Sequence, residues 1–236
     1  MVATPPGVPH CAIEGNSGSG KTTTARALSR AWGQRRFVGE YFGYFEPLAL
    51  AMPDLPPPDP FVGREQSSAW ATIDRRRYAD LRDQPGGGHP VVLDTTVLSV
   101  LACELAKREA GEASAVAEIT AEYRRLLDDG IIWPPQLWVF LETHHDELER
   151  RITARGGSRP FLRRPEVVAY LHAFRARFAE CYLNDDEALR LRNDTSPIED
   201  VVAAVTAHVD DRGSGGEGTG LRRFLEDLAR DAVAVP

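Results

Sequence analysis

Residues 15 to 22 read Gly-Asn-Ser-Gly-Ser-Gly-Lys-Thr, a complete Walker A pattern of Gly15, four residues, then Gly20-Lys21-Thr22. With average residue usage, chance places that pattern in a chain of this length on the order of 1% of the time. Its flanks agree with it. His10 to Glu14 is a short apolar run that predicts a buried strand. Thr22 to Trp32 predicts a helix with Ala25, Leu28, Ala31 and Trp32 on one face, and Gly33 stands where a C-terminal cap belongs. A strand, a glycine loop and a helix N-terminus are the parts of a phosphate cradle.

The residue types assign roles. Gly15, Gly18 and Gly20 let the backbone turn until successive N–H groups converge on phosphate oxygens. The helix start adds its positive dipole end. Gly15, Asn16, Ser17, Gly18, Ser19, Gly20, Lys21, Thr22 and Thr23 are therefore the expected binding residues for ATP. The Lys21 ammonium can reach between the β- and γ-phosphates, and the Thr22 hydroxyl can ligate Mg²⁺.

Composition narrows the partners. At 236 residues with 42% hydrophobic content, the chain suits one α/β domain with appendages. A net charge of −7 argues against a nucleic-acid polymer or an anionic membrane. Of 28 basic side chains only Lys21 and Lys107 are lysine, so the motif keeps lysine in a chain that otherwise uses arginine. Cys11, Cys103 and Cys181 lack metal or disulfide spacing and read as buried free thiols of a cytoplasmic protein. Residues 1 to 9 lack the charged start and apolar core of a signal peptide, and no apolar run approaches the length of a membrane span.

Along the chain, residues 1–9 read as a flexible leader, 10–208 as one domain, 209–220 as a glycine-rich linker and 221–236 as an amphipathic C-terminal helix. Strands are expected at Arg36 to Glu40, Pro90 to Asp94, Leu137 to Leu141 and Leu189 to Arg192, besides the one before the loop. Helices are expected at 64–83, with Trp70, Ile73, Arg77 and Leu81 on one stripe, and at 96–110 and 113–129. A further helix opens at Thr143-His144-His145-Asp146, which looks like a capping box. Another follows Pro165, with Val167, Leu171, Phe174, Phe178 and Cys181 as its core face, and Asp194 to Pro197 caps the last domain helix. Pro53 to Pro60 is a proline-rich loop. Alternating strands and helices predict a parallel sheet with right-handed crossovers, which binds ligands at the carboxyl ends of its strands. The Walker loop, Glu40 and Asp94 all fall at such ends.

Several nucleotide-binding classes are excluded. A guanine-reading Asn-Lys-x-Asp is absent, since the other lysine stands in Ala-Lys-Arg-Glu. The Ser214-Gly215-Gly216-Glu217 run lies on the wrong side of the domain for an ABC signature. What remains is a small kinase. Four segments resemble the thymidylate kinase and deoxynucleoside kinase branch of the P-loop kinases: Glu14 to Thr24; Ala71-Thr72-Ile73-Asp74-Arg75; Val91-Val92-Leu93-Asp94 with Leu98-Ser99; and Leu148 to Gly156. The likeness spans roughly residues 11–208.

The resemblance implies a three-layer α/β sandwich whose five-stranded parallel sheet has the order 2-3-1-4-5, with an arginine-rich lid at about 150–164. It implies a homodimer, because members of the branch are often dimers. It makes Glu40 the carboxylate that takes the proton of an acceptor hydroxyl, with Glu46 of Phe45-Glu46-Pro47 as competitor, and Arg75 an acceptor contact. The chain departs at Asp94-Thr95, where the family has Asp-Arg and that arginine holds the acceptor or its phosphate.

The residues carry their own logic beside this. Glu40 at a strand end can orient a hydroxyl and accept its proton, or simply be solvated. Asp94 can hold Mg²⁺ through water, cap the following helix, or both. Among the lid arginines, Arg155 and Arg159 flank Gly156-Gly157-Ser158 and are the expected stabilisers of transferring phosphoryl charge, against the alternative of a solvated basic face. Tyr41 and Phe42, with Tyr44 and Phe45, can stack on an acceptor ring or sit in the core. Arg75 can equally be a surface arginine, and His144 and His145 simply begin a helix. The expected function is ATP- and Mg²⁺-dependent transfer of the γ-phosphoryl group to a small-molecule acceptor, a nucleoside or nucleoside monophosphate. The alternatives are a non-nucleoside hydroxyl, as on an antibiotic or biosynthetic intermediate, and a nucleotide-binding regulator without transfer chemistry.

Overall fold

The computed structural model describes residues 10–33, 37–50, 60–82, 91–156, 160–212 and 218–233. The expected leader at 1–9, the proline-rich loop up to residue 59, residues 213–217 of the expected 209–220 linker and Arg159 lie outside the described residues. Among the described residues no helix is long and apolar enough to cross a membrane.

The strands β1 (Cys11–Gly15), β2 (Val92–Asp94), β3 (Leu137–Glu142) and β4 (Ala188–Arg192) form one parallel sheet in the order β2-β1-β3-β4. This corrects the expected five strands ordered 2-3-1-4-5. Of the segment expected as a strand at 36–40, the described residues 37–40 make an isolated parallel bridge, Val38 to Leu93, beside β2. Val38 donates to the Val92 carbonyl at 3.1 Å and accepts from the Asp94 amide at 2.9 Å. The local reason is composition: Phe37 and Val38 are followed at once by Gly39, and the chain then tightens into a 3₁₀ turn over Tyr41–Tyr44.

Side-chain alternation builds the layers. Cys11, Ile13, Val139 and Leu141 face one side with Ala25 and Leu28 of α1 (Lys21–Ala31) and Val201 and Val205 of α7 (Ile198–Arg212). Ala12, Leu93, Trp138 and Phe140 face the other. There they meet α2 (Pro60–Arg82), α3 (Val97–Glu109), α4 (Val116–Asp128) and α6 (Pro165–Tyr182). The helix α5 (His145–Ala154) crosses above the Walker loop, and α8 (Thr219–Val233) closes the second layer. The C-terminal helix is thus packed on the domain. Its Leu221, Phe224 and Leu225 are buried, and Phe224 meets Phe174, Phe178 and Tyr182 with ring centroids 5.3 to 5.6 Å apart. Helix α7 runs to Arg212, past the expected domain end at 208.

Three local expectations change. Thr143 does not cap α5; His144 occupies that place, and its amide is held by Asp194 Oδ1 at 2.6 Å from across the sheet edge. Asp94 does not cap α3; the Thr96 hydroxyl accepts from the Leu98 amide instead. Of the cysteines, Cys11 alone is fully buried, whereas Cys181 is exposed.

Candidate active site

The Walker loop leaves β1 at Gly15 and enters α1 at Gly20, whose left-handed φ of 93° makes the turn. The bend is closely packed. A Cβ at Gly15 would fall 2.5 Å from Ser19 Oγ and 2.8 Å from the Leu141 carbonyl. Lys21 lies back across the loop and donates to the Asn16 carbonyl at 3.0 Å. Asn193, just after β4, donates to the Ser19 carbonyl at 2.6 Å and so pins the loop from the neighbouring strand. Arg151 of α5 donates to the Asn193 and Asp194 carbonyls and borders Gly20. Thr23 is exposed on the first turn of α1.

Asp94 ends β2 beside the loop. Both of its carboxylate oxygens are buried without a hydrogen-bond partner among the described residues. Desolvation pushes its carboxyl up, opposed by the nearby Thr22 hydroxyl and the Lys21 ammonium. Two orphaned, buried carboxylate oxygens beside a hydroxyl are a donor set that fits a hard divalent cation; a carboxylate left this way by itself is expensive. Lys21 is pulled down chiefly by its own desolvation, with Asp94 opposing.

The corner after Asp94 is held from α2. Arg77 is fully buried and donates to the carbonyls of Gly39, Asp94 and Thr95 and to Asp74. Asp74 also accepts from the Tyr41 and Tyr123 hydroxyls at 2.8 and 2.7 Å. The Arg77 guanidinium lies 4.2 Å from the Tyr41 ring centroid. One buried network thereby ties α2, α4, β2 and the Glu40–Tyr41 turn together.

These elements enclose a cavity of about 150 Å³ next to the Walker loop. Gly15, Asn16, Ser17 and Lys21 form one side. Glu40 faces the same space, as do Tyr41, Phe42 and Trp70, which meet edge-to-face at 5.5 and 6.1 Å. Val100, Cys103, Leu162 and Leu171 add apolar lining, alongside Ser99, Glu104 and Arg175. Lys21, Glu40, Tyr41 and Phe42 are therefore brought together around one cavity, and Asp94 is adjacent to Lys21.

Other expected residues fall elsewhere. Arg75 points away from the cavity and pairs with Glu122 at 3.0 Å. Glu46 is exposed and does not line the cavity. Arg155 is exposed at the C-terminal cap of α5, while Arg150, Arg163 and Arg164 pair with Glu147, Glu149 and Glu112. His144 and His145 sit at the start of α5, and no metal-holding group of three or more ligand residues occurs among the described residues.

Three residues were missed from sequence: Glu14, Arg77 and Arg175. Glu14 is fully buried and accepts from the Thr96 amide and hydroxyl and from the Ser99 hydroxyl at 2.6 to 2.8 Å, locking β1 to the start of α3. Arg175 of α6 donates to Asn16 Oδ1 at 2.6 Å. The available signal was a charged residue inside an apolar helical stripe: Arg77 between Ile73 and Leu81, and Arg175 between Leu171 and Phe178.

No family model matches the chain, and no curated protein matches it in sequence. Solved structures do match in three dimensions. Deoxyadenosine kinase from M. mycoides with bound dATP is 15% identical with a TM-score of 0.61, covering 85% of this chain and 98% of that one. The same enzyme with products dCMP and dCDP gives 15% and 0.60 over the same shares. Thymidylate kinase from Candida albicans is 18% identical with a TM-score of 0.52, covering 86% of this chain and 92% of that one. The chain has the P-loop kinase-like fold of the deoxynucleoside and nucleotide kinases.

Proposed function

We propose that the chain is an ATP- and Mg²⁺-dependent kinase that transfers the γ-phosphoryl group to the hydroxyl of a nucleoside-sized acceptor. The observation that carries this reading is one cavity lined by both the Walker loop with Lys21 and by Glu40, with the unpartnered carboxylate of Asp94 beside the loop. A regulator that only binds nucleotide needs no acceptor cavity with a carboxylate in it. The likeness in fold to deoxyadenosine kinase supports a nucleoside acceptor. Thr95 supports a hydroxyl over a monophosphate, because the family's phosphate-holding arginine is absent at that position.

Backbone amides of residues 15–22 hold the triphosphate, and Lys21 neutralises its developing charge. Thr22 and Asp94 would hold Mg²⁺, which would supply positive charge against the phosphates during transfer. Tyr41, Phe42 and Trp70 form the wall against which an acceptor ring packs. Glu40 orients the acceptor hydroxyl and takes its proton as the oxygen bonds to the γ-phosphorus. The bond from that phosphorus to the bridging oxygen breaks, and ADP leaves with the electron pair. The Arg155 end of α5, with Arg159, is placed in sequence to reach over the phosphates as a lid.

A panel of deoxynucleosides, ribonucleosides and their monophosphates, each given with Mg·ATP, tests this. ADP release stimulated by one nucleoside, with a product heavier by one phosphoryl group, is expected. Nucleotide binding with no stimulated release by any acceptor is the outcome of a regulator and contradicts the proposal.

A further inference from the structure

We propose that Arg175 is the second cation of the transfer site, contacting γ-phosphoryl oxygens beside Lys21; this rests on the kinase reading above. The segment after β2 carries Thr95, so it supplies no cation to the cavity. Arg175 reaches the same place from α6. Its side chain is only 8% exposed, and it lines the cavity together with Lys21 and Glu40. Nη1 donates to Asn16 Oδ1 at 2.6 Å and to the Leu171 carbonyl at 3.0 Å, and Nη2 donates to Ser99 Oγ at 3.3 Å. These bonds fix the guanidinium against the second residue of the phosphate loop.

The arrangement exceeds what a structural clamp needs. Among the described residues Glu14 is the carboxylate paired with Arg175, and it also accepts from the Thr96 amide and hydroxyl and from the Ser99 hydroxyl. Arg175 Nε lies 3.6 Å from Glu14 Oε2 and makes no hydrogen bond, so a buried donor is left over. Burial holds the Arg175 guanidinium below its usual range, and its charge in turn pulls Lys21 down. Two cations that oppose each other across a phosphate loop are stabilised together by a polyanion between them. An arginine is suited to this because its planar fork meets two phosphoryl oxygens at once.

Calorimetric titration of the full chain with Mg·ATPγS and with Mg·ADP tests the assignment without any acceptor. The wild type should prefer the triphosphate analogue. Arg175→Gln should lose about tenfold of that preference, the scale of one charge-assisted hydrogen bond, with ADP affinity kept. Arg175→Lys should restore much of it. An Arg175→Gln protein that retains the full preference overturns this inference alone. A wild type that binds neither nucleotide sinks the kinase reading, and this inference with it. If the glutamine variant does not fold, the Arg175 Nε–H resonance of the wild type decides. A shift with Mg·ATPγS and none with Mg·ADP is expected; no shift with either overturns the assignment.

Discussion

The guanidinium of Arg77 donates to the main-chain carbonyl of Thr95 at 2.7 Å, and the same nitrogen donates to the Asp94 carbonyl at 2.6 Å. Thr95 has a φ of 63°, a left-handed conformation that a β-branched residue adopts only under constraint. Such a residue costs of order 1–3 kcal/mol unless its surroundings over-determine it. Arg77 is that constraint. It also sets the direction in which Asp94 leaves β2. Arg77→Met should therefore destabilise the fold by about 3–5 kcal/mol, because it leaves Asp74 buried without its cation and the Asp94 and Thr95 carbonyls without their donor. Urea unfolding checks this; a loss within the range of an ordinary surface substitution contradicts the anchoring role.

Asp94 gives a prediction in pH. Its folded-state carboxyl is raised above the ordinary 3.8 by burial, so folding favours the protonated form. The stability this group contributes is present below its unfolded value and is lost as pH rises through its raised folded value. Asp94→Asn should flatten that decline and raise Tm of the nucleotide-free protein at neutral pH by a few degrees. It should also abolish Mg·ATP-dependent transfer. Equal Tm values across the pH range would show that the carboxylate is solvated or paired.

Glu40 lines the cavity and Glu46 does not. Glu40→Gln should lower turnover at least about tenfold, the low end for a positioned general base, with Mg·ATP affinity kept. Glu46→Gln should be near normal. The reverse pattern in steady-state kinetics moves the base to Glu46.

The docking of α8 has its own probe. A Cβ at Gly220 would fall 2.2 Å from the Tyr182 carbonyl, which leaves no room for a side chain. Gly220→Ala should displace the start of α8 and loosen the Phe224 and Leu225 packing. The expected result is a clear fall in Tm with Mg·ATP affinity preserved, because the helix lies away from the Walker loop. An unchanged Tm shows that α8 contributes little to stability.

Much of the molecule was legible because local signals are strong here. The Walker pattern fixes a strand, a turn and a helix start within a few residues. The continuous apolar run at Leu137 to Leu141 marks a doubly buried strand without ambiguity. The strand at 36–40 misled because Phe37-Val38 has strand propensity, while Gly39 and the following turn end pairing after one bridge. Arg75 was favoured over Arg77 by resemblance, although helical phase already put Arg77 on the apolar stripe. Arg175 was hidden because its partners, Asn16, Ser99 and Glu14, are distant in sequence. Its place between Leu171 and Phe178 on an apolar stripe marks it as buried, but not which residues it meets.

Following the γ-phosphoryl group itself through a single turnover is the most direct test that the Walker loop and the Glu40 cavity act on one reaction. With γ-labelled Mg·ATP bound and a stimulating nucleoside added, the label should appear on the nucleoside hydroxyl in step with ADP. Label found only in inorganic phosphate, or still in ATP whatever acceptor is supplied, would contradict transfer between the two.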